Sequence, residues 1–252
     1  MKSTILKIIV LLIFGTTNTY AGWYKCYNYK GTIDKYPISF SIQITEEYFG
    51  EKAKKAFNIN GVYKYDKHNN PIKLEGKIDF KNNKAFIYEI QNNKNTAVFE
   101  FNFSEKECNG TWTNLTTKKV LPLHLSFISK LTDTSEKHTF NNIEILQSNS
   151  LTDYYFVGIY SKKPEVDRAQ MDKLKIIRKS NNSVFQTLNF SKIETQTGNV
   201  MTVIYDNVEN VNLKTKTLII SNNIGRVGGY LTVEYDSKTN SFKIDPEVSI
   251  EG

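Results

Sequence analysis

The chain has 252 residues, with 33 lysines and arginines against 26 aspartates and glutamates, a formal charge of +7, 2 cysteines and 3 histidines. That length suits one large all-β domain or two ordinary ones. The basic residues are spread singly rather than gathered into a patch with accessible aromatics, which argues against a nucleic-acid partner, and no stretch reaches the roughly 18 apolar residues of a membrane helix, which argues against a membrane span.

Residues 1–21 read as a secretory signal peptide. Lys2 and Lys7 supply the positive start, residues 8–14 form an apolar run, and Thr19 and Ala21 are small residues at the cleavage positions. Cleavage after Ala21 sends the mature chain to the periplasm, with secretion the second destination. The leader holds two lysines and no acid, so the mature charge falls from +7 to +5. Cys26 and Cys108 both survive cleavage, and an even cysteine count in an oxidising compartment predicts one disulfide between them. It would close a loop of roughly 80 residues and contribute about 4.5 kcal/mol at most. Cys26 follows Trp23, Tyr24 and Lys25 rather than a small residue next to the apolar run, which argues against a lipid anchor there.

Short alternating segments separated by turns then predict strands and hairpins. Ile38, Phe40, Ile42 and Ile44 alternate with Ser39, Ser41 and Gln43. Residues 45–57 interrupt the pattern with a short amphipathic helix through Tyr48, Ala53, Ala56 and Phe57. Residues 62–65 form a strand, and residues 66–71 a polar turn. Ile72, Leu74 and Ile78 begin the return, and residues 85–90 follow an asparagine-bearing turn. Phe99, Phe101 and Phe103 line one face of a further strand; residues 108–112 and the alternation of Leu121, Leu123, Leu125 and Phe127 complete the series. Some seven or eight consecutive strands predict a meander curled into a small barrel or sandwich over 22–128. The alternation lapses over 129–139, which places the domain boundary there.

A second antiparallel β domain is expected over 140–252, with strands at 154–160, 174–177, 184–190, 200–205, 218–220, 230–235 and 242–244. Turn clusters lie at 180–183 and 236–240, and Pro164 opens a short helical turn. The fold class is therefore all-β, in two β-rich domains.

Residue types that carry catalysis are sparse. No G-x-S-x-G elbow is present, and His68, His124 and His138 lack a second histidine at ligand spacing. No catalytic residue, cofactor or metal is assigned. Residues 206–212 hold several oxygen ligands, as a calcium loop does, but lack the glycine and regular acid spacing of one, so an asparagine-rich turn is the simpler reading. The densest glycine cluster, Gly225, Gly228 and Gly229 with Arg226 and Tyr230, reads most simply as a long hairpin loop or bulge using positive φ. Its functional reading is a partner-binding loop in which Arg226, one of three arginines, presents its donor fork to the carboxylates of a partner's active site.

Ser183-Val184-Phe185-Gln186 after a turn, the 206–212 segment, and Gly229-Tyr230 leading to Tyr235 through Phe242 resemble a bacterial envelope family. It contains periplasmic lysozyme inhibitors and immunity proteins against secreted peptidoglycan-degrading effectors. The resemblance covers roughly residues 150–245. In that family the middle loop resembles D-x-N-x-D-G-x-x-D; Val211, Asn212 and Leu213 replace its later acids and glycine. The N-terminal pattern, with Tyr29-Lys30-Gly31-Thr32-Ile33, Gly61-Val62-Tyr63-Lys64-Tyr65 and Cys108-Asn109-Gly110-Thr111-Trp112, resembles uncharacterised exported proteins of Gram-negative bacteria. Together these imply a non-enzymatic periplasmic binding protein with a protein partner, an inhibitor of or immunity protein against a peptidoglycan hydrolase in its sharpest form. The alternatives are an envelope structural or assembly protein that binds through a strand edge, and then an enzyme acting on glycan or lipid.

Overall fold

A computed structural model describes residues 24–45, 58–79, 81–133, 139–162, 169–193, 196–198, 204–224 and 227–250. The leader, the expected helix beyond Thr45, the turn after Pro164, and His138 lie outside the described residues.

The first eight strands, β1 (Tyr24–Ile33), β2 (Tyr36–Thr45), β3 (Ile59–Tyr65), β4 (Ile72–Asp79), β5 (Lys84–Gln91), β6 (Lys94–Asn102), β7 (Glu107–Asn114) and β8 (Val120–Asp133), form a closed antiparallel barrel in chain order. β8 closes it by pairing with β1, with Ile33 opposite Leu123 and Tyr24 opposite Asp133. Closure leaves the barrel no free edge. The alternating apolar residues point inward: Tyr29, Phe40, Tyr63, Ile87, Phe99 and Leu125 share one buried cluster. Phe99 packs edge-on against Phe40 at 5.3 Å and Tyr63 at 5.2 Å between ring centroids.

Turn chemistry fixes the register. Gln91 pairs with Lys94, and Asn92 and Asn93 between them adopt φ of 50° and 59°, the type I′ geometry that asparagine tolerates. Neighbouring backbones lie too close for a side chain at Gly31 and Gly110. A Cβ there would lie 1.8 Å from the His124 carbonyl oxygen and 2.0 Å from that of Glu100.

The second half continues all-β. β9 (Phe140–Ser150), β10 (Tyr154–Lys162), β11 (Gln170–Arg178) and β12 (Val184–Asn189) form a four-stranded sheet in the order β12-β11-β10-β9. β13 (Gln196–Thr197), β15 (Thr217–Ile224), β16 (Val227–Asp236) and β17 (Ser241–Ile250) form another, with β14 (Val208–Asn212) also paired to β15. A 3-10 turn over Ile204–Asp206 precedes β14.

The two halves share a core. Cys26, Val62 and Leu131 on the outer barrel wall cluster with Ile145, Tyr160, Tyr205 and other residues of the later sheets. Polar bonds cross the same boundary: the Ile204 N–H donates to Gln43 Oε1 at 2.9 Å, and Asn69 Nδ2 donates to the Lys179 carbonyl at 2.9 Å.

The expected Cys26–Cys108 disulfide is not formed, and both residues are buried thiols. Strand parity is the reason. Tyr27 and Tyr29 face the barrel interior, so their neighbour Cys26 faces outward into the inter-sheet core, whereas Cys108 faces inward. The barrel wall stands between them.

Candidate functional site

The glycine cluster departs from its expected form. β15 and β16 pair without interruption from Leu218 and Val233 to Ile224 and Val227. Gly228 and Gly229 sit in that ladder opposite Asn223 and Asn222, and half-buried Tyr230 lies opposite Ser221. No long loop is present, and these glycines do not adopt positive φ. Gly225 and Arg226 lie outside the described residues; they connect the paired Ile224 and Val227.

Residues 206–212 form neither a calcium loop nor a turn. Asp206 ends the 3-10 turn, where its carboxylate receives the Ser148 hydroxyl and pairs with Lys73 Nζ at 2.9 Å. Asn207 is fully buried, donating to the Tyr160 hydroxyl at 2.7 Å and accepting from Ser221 Oγ at 2.8 Å. The remainder is β14. These oxygens are spent on joining β9, β10, β14 and β15.

Among the described residues a cleft of about 660 Å³ lies between the barrel and the four-stranded sheet. Both walls carry polar groups. The barrel contributes Asn28 and Lys30 from β1, Ser39 and Ser41 from β2, Lys64 from β3 and Ser129 from β8; the sheet contributes Leu146, Val157 and Ile177, with Tyr155 and Glu144 among them. The barrel residues come from the polar half of each alternating strand. In a free barrel that half faces water, but here the second half of the chain stands opposite it.

The barrel wall is already hydrogen-bonded to itself. Asn28 Nδ2 donates to Ser129 Oγ at 2.9 Å and to the Glu144 carbonyl at 3.1 Å, and Asn28 Oδ1 accepts from Ser41 Oγ at 2.6 Å. Lys64, only 6% exposed, donates to Asp66 at 2.9 Å and Asn69 Oδ1 at 2.7 Å, and lies 5.0 Å from the Tyr155 ring centroid. Ser39 Oγ also donates to Asp66, at 2.8 Å. Burial, with the carboxylates of Asp66 and Glu144 nearby, raises the Tyr155 hydroxyl above the usual tyrosine range, so it stays neutral and donates to Asn182 Oδ1 at 3.1 Å. Glu144 pairs with Lys175. The cleft thus presents polar groups held in fixed orientations, with Lys64, Asp66 and Glu144 paired to neighbours and exposed Lys30 in its lining.

A second buried polar cluster sits inside the barrel. Glu89, 4% exposed, accepts from Gln91 Nε2 and Thr96 Oγ1 at 2.6 Å each, from Trp112 Nε1 at 3.4 Å and from the Tyr63 hydroxyl. Four donors fill the four acceptor directions of one carboxylate. Its chemistry is structural, tying β3, β5, β6 and β7 together.

Comparison with known proteins returns no matching family model, no matching curated protein and no matching solved structure.

Proposed function

We propose that this chain is a non-enzymatic binding protein of the bacterial envelope, and that the cleft between the barrel and the four-stranded sheet is its ligand seat. The observation that carries this reading is the mutual hydrogen bonding of Asn28, Ser41 and Ser129, and of Lys64, Asp66 and Asn69, before any ligand arrives. Groups fixed on strands lose little further freedom when a ligand docks, so more of the contact energy appears as affinity. The two acids at the cleft, Asp66 and Glu144, are engaged by lysines, a role in holding shape rather than moving protons. The test is a tryptophan at Ser41, which fills the cleft from the barrel side: binding to periplasmic extract components on an immobilised column should fall at least tenfold, with the circular dichroism spectrum retained. Equal capture by wild type and variant rejects the cleft as the seat.

The resemblance of residues 150–245 to lysozyme inhibitors and immunity proteins supplies the sharper version, in which the protein partner is a peptidoglycan hydrolase met by Arg226 in the β15–β16 connection. Export is part of this proposal. Adding the protein to muramidases and amidases should lower their activity, and Arg226→Ala should weaken that inhibition without shifting the thermal midpoint. Full hydrolase activity at saturating protein rejects the inhibitor reading.

A further inference from the structure

We infer that one end of the barrel docks on an anionic phospholipid surface. This goes beyond the cleft and does not depend on it. An antiparallel barrel closed in chain order puts alternate hairpin turns at the same end, so the β1–β2, β3–β4, β5–β6 and β7–β8 turns form one rim. Backbone bonds stitch that rim together: the Asp34 N–H donates to the Pro122 carbonyl at 2.7 Å, the Asp66 N–H to that of Pro37 at 3.0 Å, and the Leu115 N–H to that of Thr96 at 2.9 Å. Lysines that lie apart in the sequence are thereby gathered. Lys35, Lys67, Lys94, Lys118 and Lys119 are all exposed on these turns or beside them, and none pairs with a carboxylate among the described residues. On the same turns only Asp34 and Asp66 oppose them, and Asp66 is engaged by Lys64. At the other end, the described residues of 79–84 and 102–107 balance three lysines against three acids.

The rim joins this charge to apolar surface. Tyr36 is 46% exposed beside Lys35, whose Nζ lies 5.8 Å from its ring centroid, and Val120 is 58% exposed beside Lys119. A tyrosine ring, apolar in body and polar at its tip, suits the headgroup layer of a bilayer. Lysines near an anionic bilayer add an attraction that fades within a Debye length. Charges on four separate tips around a circumference address a plane rather than a groove. All five are lysines, compact hydrated point charges, with no arginine fork for bidentate recognition of a single phosphate or carboxylate. Both points favour a bilayer over a nucleic-acid strand or an acidic protein loop.

The test is co-sedimentation of the chain from Gly22, which holds every described residue and lacks the apolar run of residues 8–14. The vesicles are of pure phosphatidylcholine or of phosphatidylcholine mixed with phosphatidylglycerol. Binding to the mixed vesicles should exceed binding to the pure ones at least tenfold, and should fall at least tenfold between low and high sodium chloride. Lys94→Gln and Lys119→Gln change exposed side chains and should keep the thermal midpoint, yet each should weaken binding about fivefold, the worth of one lysine at an anionic surface. Lys81→Gln and Lys84→Gln at the other end should not weaken it. Tyr36→Ser should weaken it at least twofold. No sedimentation with the mixed vesicles overturns the inference, as does equal binding to both kinds or binding indifferent to the rim variants. Tighter binding to a single-stranded oligonucleotide than to the mixed vesicles would overturn the bilayer as the occupant.

Discussion

Gln186 meets Phe242 as one peptide group meets another. Its Nε2 donates to the Phe242 carbonyl at 2.8 Å, and its Oε1 accepts from the Phe242 N–H at 2.7 Å. β12 and β17 belong to different sheets, so this side chain supplies a single rung of ladder between them. Around it Tyr154, Phe185, Tyr235 and Phe242 stack with centroids 5.0 to 6.1 Å apart, and the Arg178 guanidinium covers Phe185 at 4.5 Å. Gln186→Leu removes both bonds and leaves a backbone donor and acceptor facing hydrocarbon, which should cost about 1 to 3 kcal/mol in urea unfolding. Hydrogen exchange gives the sharper readout: the Phe242 amide should lose protection while β10 and β11 keep theirs. Unchanged protection at Phe242 would show that the rung carries no load.

The carboxylate of Glu89 predicts a different sensitivity. Glu89→Gln keeps the size but replaces one acceptor oxygen with an NH2 group that must face two donors, either Gln91 and Thr96 or Tyr63 and Trp112. The loss should be about 2 to 4 kcal/mol. Thr96→Val removes one donor and leaves the carboxylate three, so its cost should be nearer 1 kcal/mol. Trp112 fluorescence reports both transitions. A Gln variant as stable as wild type would mean that the cluster tolerates a donor where an acceptor stands.

The contrast between the barrel core and the cleft explains what the sequence made legible. Ile38, Phe40, Ile42 and Ile44 alternate because one strand face is buried, and the barrel follows from repeating that pattern. The intervening Ser41 and Gln43 look like a solvent face, yet both are buried against the second half of the chain. Polarity reports hydrogen-bonding need, which a neighbouring sheet meets as well as water does, so the seam and its cleft left no mark in the alternation. Gly228 and Gly229 misled for a different reason, since glycines also stand within a strand ladder, where these two pair with Asn223 and Asn222. Asn207 resembled a turn residue and is a buried crosslink. Cys26 and Cys108 could have been separated by parity, because Cys26 is out of phase with inward-facing Tyr27 and Tyr29.

That parity makes the thiols a direct test of the architecture. Cys26 and Cys108 are both buried, and burial raises the Cys108 thiol above its ordinary pKa, which lowers its thiolate fraction. An aromatic disulfide reagent should therefore modify neither thiol in the native protein and both after unfolding in guanidinium. Mild oxidation of the folded protein should leave mass and thiol count unchanged. A quantitative intramolecular disulfide in folded protein would require the barrel wall to open and would contradict the packing.

Buried phenols set the alkaline limit of stability. Burial is the leading cause that raises the hydroxyls of Tyr29, Tyr63, Tyr160 and Tyr205 above the ordinary tyrosine value; for Tyr63 the Glu89 carboxylate adds to it, and for Tyr29 the Cys108 thiol does. In the unfolded chain these phenols ionise near pH 10 and the thiols near pH 8.5. Above those values the native state holds protons that the unfolded state has released, so unfolding free energy falls with rising pH. The contribution is whole below the unfolded pKa and drains as pH climbs toward the raised native one, at about 1.4 kcal/mol per pH unit for each fully shifted group. The urea midpoint should accordingly lose little to these groups from about pH 6 to 8, begin to fall near pH 9 as the Cys108 thiol contributes, and drop steeply beyond about pH 10. Tyrosinate absorbance from Tyr29, Tyr63, Tyr160 and Tyr205 should rise only together with loss of the β signal in circular dichroism. Full, reversible tyrosine ionisation with the sheet spectrum preserved would place those hydroxyls in contact with water and contradict both the barrel interior, which holds Tyr29 and Tyr63, and the core it shares with the later sheets, which holds Tyr160 and Tyr205.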